Sequence, residues 1–316
     1  MKILKTVKKV PGGLMVIPLL LGATINTFFP EALEIGGFTS DLFKKGAMPI
    51  LAVFLFCNGA QINLKQAGEP LVKGLVLTLV KFFTGALIGY GVNRIFGPAG
   101  VLGLTPLALI AAITNSNGGL YAALAGEYGD STDVGAISIL SINDGPFFTM
   151  LAFGLTGLSN IPFIALVATV VPIIIGFILG NLDEEIREFL EPGTTLMIPF
   201  FAFPLGAALN FGQILEAGPS GILLGLICTF ISGGMGYLAM KLIGSDKPQV
   251  GAAIGTSAGN SVATPAALAA ADPALQSMAA VATAQVAAAI IVTAIVCPLF
   301  VNYLDKMNNK KVLQEG

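Results

Sequence analysis

The chain has 316 residues, 55% of them hydrophobic and only 11% charged, with a mean hydropathy of +0.85 and a net charge of −2. An ordinary soluble domain carries about 25% charged residues, so this composition describes an integral membrane protein and gives no basic patch for nucleic acid. His and Trp are absent, which excludes a His-based proton relay or metal site, and Cys57, Cys228 and Cys297 lie in apolar runs without metal-ligand spacing and read as packing residues.

The chain opens with a basic head followed by an apolar run, the layout of a signal peptide. The stretch 11–30 is nevertheless long enough to span, and no clear small-x-small cleavage site follows it, so a retained first helix is expected. With about 20 apolar residues needed per crossing, further spans are predicted at 46–63, 71–95, 99–126, 133–156, 161–181, 194–213, 218–242, 249–271 and 274–303. The fold class is therefore an all-α membrane protein of ten spans with short connections and no soluble domain.

Basic residues set the orientation. With the N-terminus inside, the cytoplasmic ends and loops collect Lys2, Lys5, Lys8, Lys9, Lys65, Lys73, Arg187, Lys241, Lys247, Lys306, Lys310 and Lys311, against Lys44, Lys45 and Arg94 outside. Both termini are predicted to be cytoplasmic.

The halves, 1–156 and 157–316, resemble each other. Residues 48–68 lie over 198–218 without a gap, matching Pro49 with Pro199 and Leu55 with Leu205, while "PLLLG" (18–22) echoes "PIIIG" (172–176). Five spans per half is an odd number, so the second half enters the membrane from the opposite side. That is an inverted repeat, a common plan among secondary transporters.

Two helix-breaking polar clusters sit at equivalent places, "TNSNGGL" in the fourth span and "TSAGNSVATP" in the ninth. Unwound backbone survives in hydrocarbon only where protein or a wet cavity satisfies it. Small residues and amides also glue membrane helices together, but paired clusters point to binding. The candidate substrate residues are Asn115, Ser116, Asn117, Gly118, Gly119, Asn260, Ser261 and Thr264, with half-helix N-termini ready for an anion.

Asp144 is the only charged residue between Val134 and Leu182, near mid-span. Charges there are costly and usually functional, and a desolvated carboxyl suits a reversible proton carrier. Asn143 beside it, with Ser138 and Ser141 upstream, can add a polar lining or ligate a cation. Lys81, the one basic residue deep in a span, either shares the coupling role, pairs structurally with Asp144, or snorkels outward. No metal site and no cofactor are expected. The chain has no G-x-S-x-G, no nucleotide-binding loop and no paired carboxylates within a span, so an enzyme is not expected; paired broken helices argue against a channel.

"VPGGLMVIPLLLGATINTFFP", "NSNGGLYAALAGEYGD", "SINDGPFFTM" and "AGNSVATPAALAAADP" together resemble the 2-keto-3-deoxygluconate permease family over about residues 3–303. The resemblance implies proton-coupled uptake of that small sugar acid across the bacterial inner membrane. More distantly the chain resembles the bile acid and sodium symporter fold. That likeness implies a panel of spans 1, 2, 6 and 7 and a core of spans 3–5 and 8–10, with spans 4 and 9 crossing as broken helices. Sodium-coupled relatives carry an acidic residue in the second crossing helix, which "TSAGNSVATP" lacks. A sodium-coupled symporter of another organic acid is the alternative. Partners are then the sugar acid and the lipid bilayer.

Overall fold

This computed structural model describes residues 2–7, 9, 13–63, 68–143 and 145–315. Among them the protein is helical, with a single isolated bridge between Val101 and Leu104. A short α1 (Ile3–Val7) precedes α2 (Gly13–Phe28). Next, α3 (Gly37–Phe43) and α4 (Ala47–Gln61) form a pair bent by 61°. Helix α5 (Glu69–Phe96) opens with a proline in its first turn, where no N–H is needed, and closes on Gly97 at φ 78°. Helices α6 (Pro106–Ile113) and α7 (Gly118–Tyr128) are halves of one apolar stretch bent by 46°. The fifth segment comprises α8 (Ser131–Gly135), α9 (Ile137–Leu140) and α10 (Phe147–Thr156).

The second half begins with α11 (Phe163–Leu182), α12 (Glu184–Leu190) and α13 (Gly193–Gly206). Helix α14 (Phe211–Ile227) runs through a π-helical turn (Cys228–Ser232) into α15 (Gly233–Leu242). Two 3-10 turns, Pro248–Ile254 and Gly259–Ala263, lead into α16 (Thr264–Ala271), and α17 (Gln276–Glu315) ends the chain.

Each predicted span has a helical counterpart, but their lengths differ. Glu69–Phe96, Phe163–Leu182, Ala217–Leu242 and Pro273–Asn309 are long and apolar enough to cross a bilayer alone; counting each of three bent pairs as one span gives up to seven. Helices α2 and α13 have 16 and 14 residues, short of the roughly 20 of a full crossing. The stretch 249–271 is two 3-10 turns and a short helix, since Gly255, Gly259 and Pro265 interrupt it.

Packing divides the helices into two groups: α2, α4, α11 and α13 pack chiefly on one another, and α5–α10 pack with α14–α17. The first group is held by backbone approaching backbone. A Cβ on Gly22 would strike the carbonyl of Phe203, and one on Gly176 that of Phe56; likewise Gly206 meets Leu19 and Gly59 meets Ile173. The two contacts are built alike, from Phe54-x-Phe56-x-x-Gly59-Ala60 and Phe201-x-Phe203-x-x-Gly206-Ala207, and the rings of Phe54 and Phe201 meet edge-on at 5.4 Å. Asn26 Nδ2 donates to Leu209 O at 2.9 Å and Asn181 Nδ2 to Ile62 O at 2.8 Å, satisfying helix-end carbonyls in the same way. The gap-free overlay puts Gly59 on Leu209, whereas the two Phe-x-Phe-x-x-Gly-Ala stretches place Gly59 alongside Gly206, about one helical turn away.

Candidate functional site

The two polar clusters lie where the sequence puts them, at breaks in the fourth and ninth segments, and they meet. Asn115 Nδ2 donates to Asn260 Oδ1 at 2.7 Å. The backbone N–H of Asn117 donates to Thr256 Oγ1 at 2.9 Å, and Asn143 Nδ2 to Ser116 Oγ at 3.2 Å. Asn117 also caps α7, its Oδ1 accepting from the Leu120 N–H at 3.0 Å. Asn115, Ser116, Asn143, Ser261 and Thr264 are all buried. The buried oxygens Asn115 Oδ1, Asn143 Oδ1, Ser261 Oγ and Thr264 Oγ1 have no hydrogen-bond partner among the described residues.

Beside this crossing lies a cavity of about 630 Å³. Of the candidate residues, Asn117, Gly118, Gly119 and Asn260 line it. Asn115, Ser116, Ser261 and Thr264 do not; they form the buried support behind it. Ser141 also lines it. The opposite wall is one the sequence reading missed: Asn58 and Gln61 of α4, Thr194 and Thr195 of α13, and Glu191 just before it. Polar residues near the ends of apolar runs look like ordinary membrane-interface residues, so only a matching polar end in the neighbouring span signals a wall.

Lys81 does not snorkel. It is fully buried, and its ammonium donates to Ile254 O and Thr256 O at 2.7 Å each, and to Ser232 Oγ at 3.1 Å. Those carbonyls belong to the segment where the ninth span loses its helix, so the ammonium supplies the donors a helical turn would otherwise provide. No carboxylate pairs with Lys81 among the described residues. Asp144 lies outside the described residues.

A second buried polar cluster went unseen in the sequence. Asp133, at the predicted edge of the fifth span, is fully buried and salt-bridged to Lys73 at 2.7 Å; Glu69 at 3.0 Å and Asp130 at 3.9 Å complete the set. Hydrogen bonds from the Thr132 hydroxyl and from the Asp133 and Thr132 amides hold the Asp130 carboxyl below the usual carboxylate value, with Lys73 adding to the effect. At the other end of the fold, Ser159 bonds to Asp272, whose carboxyl is lowered chiefly by that hydroxyl and by the Ala274 amide.

Residues 4–310 match the family described as 2-keto-3-deoxygluconate permease. The chain is 52% identical over 315 residues to 2-keto-3-deoxygluconate permease 1 of Salmonella typhimurium, spanning 100% of this chain and 99% of the relative. It is 41% identical over 317 residues to the 2-keto-3-deoxygluconate permease of Bacillus subtilis, spanning 98% and 96%. Among solved structures it is similar to a sodium proton antiporter from Methanocaldococcus jannaschii, with a TM-score of 0.56 and 17% identity over 92% of this chain and 90% of that one. This last likeness is one of fold alone. The chain belongs to the 2-keto-3-deoxygluconate permease family.

Proposed function

We propose that this member of the family is a secondary active symporter that imports 2-keto-3-deoxygluconate with protons by alternating access. The observation that carries the reading is the meeting of two broken segments at Asn115 and Asn260 beside a cavity of about 630 Å³, well within the size range of small-ligand sites. Asn117, Gly118, Gly119 and Asn260 contact the sugar acid, with Asn115, Ser116, Ser261 and Thr264 holding them in place. Asp144 is the coupling carboxyl. Asn143 donates to Ser116 at the crossing, and Lys81 fixes the broken backbone there.

The architecture we propose is ten spans in two inverted repeats, 1–156 and 157–316, in the inner membrane with both termini cytoplasmic. The matched contacts Gly22–Phe203 and Gly176–Phe56, and the self-paired rings of Phe54 and Phe201, are what an internal twofold generates. The basic-residue bias favours the orientation. Under it, the cavity rim with Gln61 and Glu191 faces the cytoplasm, an inward-facing form.

The test is uptake of labelled 2-keto-3-deoxygluconate into proteoliposomes with pH and sodium gradients imposed separately. Accumulation driven by the pH gradient alone is expected. Accumulation driven only by sodium, or none under either gradient, would overturn the proton-symport reading.

A further inference from the structure

The two groups of helices that line the cavity offer different charge and hydrogen-bonding chemistry. On the crossing side, the Asn117 side-chain oxygen is spent on the Leu120 N–H, so its Nδ2 group is what remains to face the cavity. Gly118 and Gly119 beside it begin α7, where backbone N–H groups lack intrahelical partners. That wall donates.

The wall from α4 and α13 both accepts and donates, and it carries a negative charge. Asn58 Nδ2 donates to Phe54 O at 2.9 Å and Gln61 Nε2 to Arg187 O at 3.0 Å, while the Thr194 hydroxyl donates to Glu191 O at 2.8 Å. That leaves Asn58 Oδ1, Gln61 Oε1 and Thr194 Oγ1 as acceptors, one N–H on each amide as a donor, and the exposed Glu191 carboxylate among the lining residues. A carboxylate placed there would meet a like charge and mostly lone pairs. Hydroxyl groups, which both donate and accept, fit it.

We propose that a hydroxy acid lies across this cavity in one orientation, its carboxylate on the α7 side and its hydroxyl tail against Asn58, Gln61 and Thr194. The proposal rests on the substrate site described above and adds a second half, drawn from the other group of helices. These three side chains read the length and hydroxylation of the tail, whereas the crossing reads the acid. The ligand then bridges the two packing groups, which a site confined to the crossing would not require.

The experiment is competition against uptake of labelled 2-keto-3-deoxygluconate in proteoliposomes, with two competitors. One is unlabelled substrate; the other is 2-ketobutyrate, which keeps the carboxylate and keto group and has no hydroxyl. Asn58→Leu, Gln61→Met and Thr194→Val should each raise the inhibition constant of the substrate about three- to tenfold, the effect of one neutral hydrogen bond. They should leave that of 2-ketobutyrate unchanged, and Asn117→Ala should raise both. If these variants weaken both competitors alike, or leave the substrate unaffected, the orientation is wrong. An Asn117→Ala protein that binds both normally while the other variants do not would instead remove the crossing from the site, which is the failure of the earlier reading. Should Asn58→Leu fail to fold, Thr194→Val, on a partly exposed residue, carries the same comparison.

Discussion

The Lys73–Asp133 pair offers the sharpest energetic test of this fold. Its side chains are 3% and 0% exposed and 2.7 Å apart, so neither charge can reach water when the other is removed. Breaking a buried pair by deleting one partner typically costs about 3–5 kcal/mol. Asp133 also accepts from the Asp130 N–H at 3.0 Å in a capping box, worth about 1 kcal/mol more. Glu69 and Asp130 stay near Lys73 and soften the loss. Glu69 is more than half exposed and Asp130 is 3.9 Å away, so the expected cost of Asp133→Ala remains about 3–5 kcal/mol. Removing both charges in Lys73→Met/Asp133→Leu relieves two desolvation penalties at once, and the double variant should recover most of that loss.

The protein carries its own reporter. Its three cysteines are buried and free, so a thiol-reactive dye follows unfolding in detergent without added probes. The single variant should melt on the order of 10 °C below the parent, and the double variant should lie much closer to it. An Asp133→Ala protein melting with the parent, or a double variant no better than the single, would refute the buried-pair argument.

Asn117→Ala and Asn260→Ala should each weaken substrate binding about ten- to a hundredfold, the loss of one hydrogen bond to a charged group; calorimetric titration of the purified variants reads this, and parent-like affinity in both would move the site elsewhere. Asp144→Asn should abolish pH-driven accumulation yet leave substrate exchange, which needs no net proton movement; normal gradient-driven uptake by a well-expressed variant removes Asp144 from coupling. In a cysteine-free background, a cysteine at Gly37 should react with an impermeant reagent from outside and one at Asn309 should not, and the reverse pattern overturns the topology. The Asp272 carboxyl lies below its ordinary value, so its bond to Ser159 stabilises the fold above the unfolded carboxyl pKa of about 4 and is lost as pH falls through the lower folded value. Thermal stability should therefore decline on acidification in the parent, and Ser159→Ala should lessen that decline; an identical acid profile in the variant denies the contact any role.

The breaks at 114–117 and 255–263 were legible because Gly, Asn and Pro cannot propagate a helix and nothing else in an apolar run explains them. That the two clusters would come together was expected from their like character in the fourth and ninth spans; that Asn115 bonds to Asn260 was not. Prolines guided the overlay of 48–68 on 198–218, whereas packing is decided by which glycines let backbones touch, and residue type alone does not mark those. Asp133 reads as a membrane-edge acid because its partner, Lys73, comes from another helix and only tertiary packing brings it near. Lys81 was legible as exceptional but not in its role, since its acceptors are backbone carbonyls that leave no trace in residue type.

Helix α11 has a consequence for what its sequence is free to become. Of its 20 residues only Gly176 and Gly180 are buried, and a Cβ on either would run into the backbone of α4 at Phe56 or Ala60. Leu166 and Ile173 pack partly on the core and Asn181 bonds to Ile62 O, but many of the remaining side chains, Ile174, Ile175 and Ile178 among them, are exposed, where lipid asks for apolarity and little about shape. Most of this helix can therefore drift among aliphatic residues across relatives without loss of docking, while one added methyl group at Gly176 or Gly180 pushes the whole helix off its partner. The information that seats α11 is carried by the side chains it lacks.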